Sequence, residues 1–282
     1  MGTKYKDLRT AFNEYSKGYK NFETKENTEG LEPKVKPSMI GTPCERKAFY
    51  SFNQVNGVRT PMELKSKRIM LLGDYVEDML VQGLREAGVI IDAVDPQTGR
   101  TPLWFGEPNP QFRLQALEFY IKHAFIDIVA ELDDGIWICD TKSKNADRYR
   151  EVEDLPPQKD LWQIVLYFYI FRRNLKRGDY DHIERLAKYK EEGPRGIRVW
   201  YYNKNNSYTK EVVYTPDGEV FKAIIERIER IYHASISEEL PPKTKDYCNS
   251  CEFKRWCDEE DCGFTYDPEL NKRFPKKIED SG

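Results

Sequence analysis

The stretch FIDIVAELDDGIWICDTKSK, residues 125–144, contains two runs rich in Ile, Val and Trp on either side of the turn sequence DDG. Such runs around a short Asp/Gly turn are typical of a β-hairpin, in which side chains alternate between two faces. One face carries Asp127, Asp140 and Lys142 among apolar residues. The other face, which includes Trp137, is apolar, and we expect it to be the core side.

Two registers of this hairpin are open, and they differ in the residue that faces Asp127. If the loop is Asp134–Gly135, Asp127 lies opposite Lys142. If the loop begins one residue earlier, Asp127 lies opposite Asp140. Both registers keep the three charged side chains on one face, whereas a three-residue loop would reverse one strand.

These charged side chains suit a divalent cation. Mg²⁺ and Mn²⁺ are usually held by one or two carboxylates, with positions left for water and a substrate phosphate. A lysine two residues after a metal-bound Asp can orient a water and stabilise charge that develops on a phosphate. The alternative is a surface ion pair between Lys142 and either aspartate, worth about 0 to 1 kcal/mol. The flanking apolar residues favour a functional site, since buried charges are uncommon without a partner.

The rest of the chain predicts helices and strands in alternation. Residues 61–87 carry apolar residues at helical spacing, and a proline pair precedes a second apolar helix. This second helix covers residues 158–175, and a strand pair over 196–203 and 207–215 and a helix over 218–236 follow it. This order, without repeats or a Gly-rich phosphate loop, indicates a mixed α/β core.

The charged fraction of 33% is high, but 13% of the 282 residues are aromatic, which indicates a folded protein. The net charge of −3 neither indicates nor excludes nucleic acid, since an acidic protein can still have one basic groove. The sequence has no apolar N-terminal segment and no run of about 18 apolar residues. We therefore expect a cytoplasmic protein without a membrane span, in which cysteines are ligands or core residues rather than disulfides.

Three cysteines, Cys248, Cys251 and Cys257, lie close together near the C-terminus and lack a fourth partner for a metal site. Cys262 would complete a local Cys₄ zinc site. Cys44 would complete the site from the other end of the chain. The spacing leaves both possibilities open, and chemistry alone slightly favours zinc.

The order of the segments FID, DTK and QIVLY resembles the motif series of PD-(D/E)XK nucleases of the RecB type. The resemblance implies a restriction-endonuclease-like fold, a mixed sheet flanked by helices. It also implies that Asp127, Asp140 and the Thr141 carbonyl hold a catalytic Mg²⁺ or Mn²⁺ while Lys142 activates a water.

Two helices contribute further residues by the same resemblance. Gln163 and Tyr167 lie one helical turn apart, and in this family the Q-x-x-x-Y helix contacts DNA or steadies the lysine. RecB-type nucleases often carry G-x-x-x-H on the helix before the hairpin, whereas this sequence has GDYVE. Glu77 then stands in place of the histidine as a metal ligand, which leaves the metal preference open. The alternative for Glu77 is a solvated helix charge.

The cysteine pattern resembles that of the iron–sulfur nucleases, the CRISPR-associated Cas-four exonucleases and the AddB-type nuclease domain. By that resemblance Cys44, Cys248, Cys251 and Cys257 hold a structural [4Fe-4S] cluster, which joins the two ends of the chain as a clasp. The implied division is a lead-in over residues 1–60, a nuclease core over 61–215 and a C-terminal cluster segment over 216–282, in one compact unit.

The resemblance implies a metal-dependent exonuclease that acts on single-stranded DNA ends. DNA repair, recombination, phage DNA processing and CRISPR adaptation are all consistent with it, with protein partners from such complexes. Arg46 and Lys47, and the basic stretch around Lys272, are candidate contacts to the DNA backbone. The alternatives are a non-catalytic DNA-binding adaptor with a structural zinc or iron–sulfur site, and a nuclease that acts on RNA or branched DNA.

Overall fold

The computed structural model describes residues 34–55, 64–95, 97–101, 103–104, 107–108, 111–152, 154–237, 239–244, 248 and 251–258. The helices of this part, numbered in chain order, are α1 (Pro37–Ile40), α2 (Glu45–Phe52), α3 (Leu64–Glu86), α4 (Ala146–Arg150), α5 (Gln158–Arg177), α6 (Glu184–Ala187), α7 (Gly218–Ser237) and α8 (Lys254–Asp258). The strands are β1 (Ile90–Ile91), β2 (Leu103–Trp104), β3 (Glu107–Pro108), β4 (Phe112–Ala116), β5 (Ile121–Ile126), β6 (Ile128–Leu132), β7 (Gly135–Lys144), β8 (Gly196–Asn203) and β9 (Thr209–Tyr214).

The predicted hairpin forms the centre of a mixed five-stranded sheet with the order β1-β6-β7-β8-β9. Strand β7 pairs antiparallel with β6 and parallel with β8, which requires a crossover through α5. Leu132 lies opposite Gly135, so the loop is Asp133–Asp134. The second of the two predicted registers, which places Asp127 next to Asp140, is therefore confirmed.

The strand is interrupted at Asp127, where the sequence predicted one continuous strand. Strand β5 ends at Ile126 and pairs with β4 in a separate two-stranded sheet, while β6 starts at Ile128 and joins the main sheet. A 3₁₀ turn (Leu117–Phe119) separates β4 from β5, and Tyr120 after it adopts a left-handed φ of 58°. The chain therefore passes from one sheet to the other at Asp127. We call this point, where Asp127 lies next to Asp140 at the end of the β6–β7 pairing, the acidic fork.

The central sheet is covered on both faces. Val129, Ile136 and Ile138, on the face of Asp140, belong to the larger hydrophobic cluster, to which α5 contributes Ile164. The opposite face packs in a smaller cluster under α3. The expectation that the opposite face is the core side was therefore wrong. A central strand of a mixed α/β sheet has layers on both sides, and alternation alone does not tell which layer is larger.

The three long helices agree with the periodicity of the sequence. Helix α5 follows Pro157 and ends at Gly178, whose φ of 89° is the left-handed conformation common at helix ends. Helix α3 forms within the predicted range, but Tyr75 and Met79 are 67% and 47% exposed rather than buried.

The larger cluster contains residues from Val35 to Cys257, and so includes all three of the predicted segments of the chain. The predicted boundaries at residues 60 and 215 stay predictions. No helix in the described part of the chain is long and apolar enough to cross a membrane.

Candidate active site

The candidate active site lies where the pairing of β6 with β7 stops. The last pair of this ladder is Ile128 with Cys139. Asp127, just before Ile128, and Asp140, just after Cys139, are the next two residues beyond that pair. The charge of Asp140 acts directly on the Asp127 carboxyl, so the two groups are close neighbours. The fork between the two sheets thus brings two acids together at the end of a buried hairpin.

Asp140 is almost entirely buried, with 2% of its surface exposed. Its Oδ2 forms an ion pair with Lys142 Nζ at 2.7 Å. Its Oδ1 is buried and accepts no hydrogen bond from any described residue. The Asp127 carboxyl could donate to it only when protonated. A buried carboxylate oxygen without a donor is costly, and a cation would offset that cost.

The site contains more acidic than basic groups, and the pKa values of its side chains are shifted accordingly. Burial first, and then the charges of Asp140 and Glu77, hold the pKa of Asp127 well above its usual range, although Lys142 opposes this. Burial lowers the pKa of Lys142, but the charges of Asp140 and Asp127 outweigh burial and keep it raised. The lysine alone does not neutralise the acids that surround it.

Glu77 projects from α3 toward this group and is half-buried. Burial and the charge of Asp140 raise its pKa to about 7, and Lys142 partly offsets that rise. Glu77 is therefore only partly exposed to solvent and lies within range of the charge of Asp140, while its role as a metal ligand stays a prediction. One turn before Glu77, helix α3 lies very close to the sheet at Gly73. A Cβ at this position would be only 2.9 Å from Ser143 Oγ. Lys204 Nζ also donates to the Ile69 carbonyl at 2.9 Å.

Gln163 and Tyr167 are neighbours on α5, as predicted, and Gln163 Nε2 donates to the Tyr167 hydroxyl at 3.0 Å. Tyr167 is buried, and burial raises the pKa of its hydroxyl. The charges of Asp140 and Asp127 raise it further, which places the ring within electrostatic range of both acids. The Q-x-x-x-Y pair therefore faces the acidic fork.

Sequence reasoning missed a second charged pair behind Lys142. Lys144 Nζ lies 2.8 Å from Asp160 Oδ2, and the Tyr201 hydroxyl donates to the same oxygen at 3.2 Å. Asp160 is buried in the first turn of α5 and adds negative potential at Lys142. Lys144 is the next residue on the face of Asp140 and Lys142, so alternation could have indicated it. Asp160 carried no such signal.

The donor set fits a small, hard divalent cation. No group of three or more His, Cys, Asp or Glu side chains within the described ranges is arranged to hold a metal ion. Mg²⁺ typically takes only one or two protein carboxylates and completes its shell with water and phosphate. The Asp127–Asp140 pair, with the unpartnered Asp140 Oδ1, meets that smaller requirement.

The cysteines gather in a second region of the molecule. Cys44 lies within electrostatic range of Cys251 and Cys257, and burial raises the pKa of both of these thiols. Cys248 is linked to Cys251 through a backbone hydrogen bond. Cys262 lies outside the described residues. Cys139 is separate from this group, and burial raises the pKa of its thiol to about 12.

The segment around Cys44 is bound to the C-terminal cysteine segment. Arg46 is buried and donates from Nε to the Pro241 carbonyl at 2.7 Å, and Lys47 Nζ pairs with Glu252 at 3.0 Å. Both cations make contacts within the protein, and their contact with a DNA backbone stays a prediction. The basic stretch around Lys272 lies outside the described residues.

Arg46 lies within electrostatic range of one of these cysteines, Cys257. Its Nη1 is buried without a hydrogen-bond partner in the described part of the chain. Its charge lowers the pKa of Cys257, against the larger effect of burial. Neutral thiols leave this donor unmatched, whereas metal-bound thiolates are strong acceptors. No group of three or more of these cysteines within the described residues is arranged to hold a metal ion.

Comparison with known proteins identifies a superfamily for the chain. The family model of the PD-(D/E)XK nuclease superfamily matches residues 61–258. The chain therefore belongs to the PD-(D/E)XK nuclease superfamily. Among solved structures, the crystal structure of SSO0001 aligns with 90% of this chain and 98% of its own, at 13% identity and a TM-score of 0.44, which adds no argument. No curated protein matches the sequence.

Proposed function

We propose that this nuclease is a Mg²⁺- or Mn²⁺-dependent exonuclease that removes nucleotides from single-stranded DNA ends. The observation that carries the proposal is Asp140 Oδ1, which is buried without a donor among the described residues, next to Asp127 and on the carboxylate that binds Lys142. A cation is the simplest partner for such a carboxylate pair. Hydrolysis of a phosphodiester is the reaction of the superfamily.

The proposed roles of the residues are taken from the resemblance to RecB-type nucleases, and the contacts among Asp127, Asp140 and Lys142 support them. Asp127, Asp140 and the Thr141 carbonyl would hold the ion, with Glu77 as a further ligand. When bound, the ion would polarise the scissile phosphate and lower the pKa of an attacking water. Lys142, oriented by its 2.7 Å ion pair with Asp140, would position that water and stabilise negative charge on the phosphate.

The preference for single-stranded ends is supported by the resemblance to the iron–sulfur nucleases. We propose on the same basis that Cys44, Cys248, Cys251 and Cys257 hold a structural [4Fe-4S] cluster, for which the unmatched Arg46 Nη1 supplies independent support. The protein would act in DNA repair, recombination, phage DNA processing or CRISPR adaptation, together with protein partners of such a pathway.

The test compares a linear single-stranded oligonucleotide, labelled at one end, with a covalently closed circle of the same sequence. We expect the linear strand to be degraded with Mg²⁺ or Mn²⁺ and to be stable in EDTA, while the circle stays intact. Asp140→Asn should be inactive. Asp133→Asn changes an exposed aspartate of the hairpin loop, and it should act as the matched active control.

Each other outcome assigns a different function. Cleavage of the circle would replace the exonuclease with an endonuclease. Faster cleavage of RNA or of branched DNA in parallel assays would change the substrate class. Binding of the linear strand without cleavage under all metal conditions would favour a non-catalytic adaptor. Equal activity of Asp140→Asn would locate the chemistry elsewhere or indicate a contaminating nuclease.

The close approach of α3 to the sheet leads to a prediction about Gly73. Gly73→Val adds a branched side chain where even a Cβ would lie 2.9 Å from Ser143 Oγ, so α3 must shift away from β7. Since Glu77 lies one turn further along this helix, we expect at least about a 10-fold loss of nuclease activity, the size that misplaced outer groups of metal sites typically cause. Initial rates on the linear strand measure it.

Gly83→Val is the matched control for this prediction. Gly83 lies on the same helix, and a Cβ there meets no atom within 4 Å. This variant makes the same change in helix propensity without contact to the sheet. Equal rates for the two valine variants would show that the position of α3 does not control catalysis.

A further inference from the structure

A cavity of about 250 Å³ lies between α3 and the strands β7 and β8, next to the acidic fork. Its sheet side is formed by Thr141 and Ser143 of β7 and by Trp200 and Tyr202 of β8. These residues face away from Asp140, because side chains alternate along each strand. Most of this sheet side of the cavity therefore lies on the opposite face of β7 from Asp140.

The cavity nevertheless touches the catalytic residues at its edge. Glu77 and Lys142 both contribute to its lining. In the parallel ladder Thr141 lies opposite Trp200, and Ser143 lies opposite Tyr202. Neighbouring strands are about 4.8 Å apart, so the two aromatic rings lie one strand away from the segment that contains Lys142. A group bound on these rings would be a close neighbour of a phosphate at the fork.

The chemistry of the lining favours a flat polar ring over a second phosphate. Trp200 and Tyr202 are half-buried aromatic side chains on one face of β8. The cavity is lined by two acidic residues, Asp74 and Glu77, and by two basic residues, Lys142 and Lys204. Because the numbers of acidic and basic side chains are equal, the cavity is not a strong anion site. Thr141 Oγ1 is buried there without a hydrogen-bond partner among the described residues.

The volume of the cavity limits its occupant to one nucleobase. Sites for drug-sized ligands measure about 300 to 1,000 Å³, so about 250 Å³ suits a single base with part of its sugar rather than several stacked bases. Base–aromatic stacking tolerates any sequence, because every base has a π-face.

We propose that this cavity is a subsite for one nucleobase, that of the nucleotide next to the scissile phosphate, which stacks on Trp200 and Tyr202. The proposal rests on the proposed nuclease function. The subsite would orient the strand so that the phosphate of the same nucleotide reaches Lys142. Loss of one stacked base weakens binding by about 5- to 150-fold.

The experiment uses linear single-stranded oligonucleotides in which one abasic residue is moved stepwise from the degraded end. With the unaltered protein we expect one position at which the abasic residue raises KM about 5- to 150-fold. Trp200→Leu should raise KM for the intact strand, and the abasic residue at that position should add little further loss. Trp200→Phe keeps an aromatic ring and should retain the positional effect.

Binding of the same oligonucleotides, measured by fluorescence anisotropy with the Asp140→Asn protein, separates this proposal from the nuclease function. Positional dependence of binding, together with no hydrolysis by the unaltered protein under any metal condition, would support the subsite and overturn the nuclease. Hydrolysis without positional dependence, or the same dependence in Trp200→Leu, would overturn the subsite and leave the nuclease intact. Tyr202→Leu repeats the test should Trp200→Leu fail to fold. Tyr208→Leu removes an aromatic ring that is 69% exposed, and it should behave as the unaltered protein.

Discussion

Replacement of Asp127 with Asn should abolish DNA hydrolysis and at the same time raise the melting temperature of the metal-free protein. The loss of activity should be at least about 10²-fold, since the variant removes one of two carboxylates proposed to hold the ion. The gain in stability follows from the position of Asp127 next to Asp140 and Glu77. An amide of similar size removes the repulsion without opening a cavity.

The gain should depend on pH in a defined direction. The pKa of the Asp127 carboxyl is raised in the folded protein by burial and by the neighbouring acids. The folded state therefore holds a proton that the unfolded chain releases near pH 4, and stability falls as pH rises through this interval. Asn does not titrate. The difference in melting temperature should be small below about pH 4 and should grow toward neutral pH.

Thermal unfolding in EDTA measures this difference, at about 2 to 4 °C for each kcal/mol in domains of about 150 to 250 residues. Addition of Mg²⁺ or Mn²⁺ should stabilise the unaltered protein more than the Asn variant, because only the former keeps both carboxylates. Asp133→Asn should change neither quantity. A lower melting temperature for Asp127→Asn in EDTA, or retention of more than about a tenth of the activity, would contradict the proposed role.

Replacement of Cys44 with Ala should remove the proposed iron–sulfur cluster and destabilise the junction between the two ends of the described chain. Protein purified without oxygen should be brown and contain about four irons. The Cys44 variant should be colourless. It should also melt at a lower temperature, because an unmatched donor at Arg46 Nη1 costs about 1 to 3 kcal/mol when buried.

Two cysteine variants distinguish the ligand sets. Cys139→Ala changes a thiol that lies in the smaller hydrophobic cluster, away from the other cysteines, and it should keep the colour. Cys262→Ala should also keep it if Cys44 is the fourth ligand. Stoichiometric zinc, lost in Cys262→Ala and kept in Cys44→Ala, would instead establish the local Cys₄ site. Iron, sulfide and zinc analyses of the same preparations decide between these results.

Much of the secondary structure followed from local signals. The alternation around the Asp133–Asp134 turn predicted β6 and β7, and the apolar period with Pro157 and Gly178 predicted α5. The break at Asp127 had no such signal, because its neighbours are all strand formers. It arises because β5 pairs with β4, whereas β6 pairs with β7, and partner choice is a long-range property.

The candidate site was predicted in the same uneven way. Asp127, Asp140 and Lys142 share a face by alternation alone, and the structure brings all three together. Glu77 was predicted only through a resemblance, since its helix is separate in sequence from the hairpin. Asp160 and the Trp200 ring were missed, because they reach the site from α5 and β8 through packing that no local pattern encodes.

The sequence by itself determined which side chains lie on the same face of each element, because alternation and helical period are properties of the local backbone. Only the tertiary structure decided which face is buried and what that burial does. It put the acids on the side of the larger core, turned Arg46 inward and enclosed the cavity beside β8. The burial of a residue and the strength of its electrostatic interactions depend on segments that are distant in sequence and pack against it. The residues next to it in the sequence do not determine which segments these are.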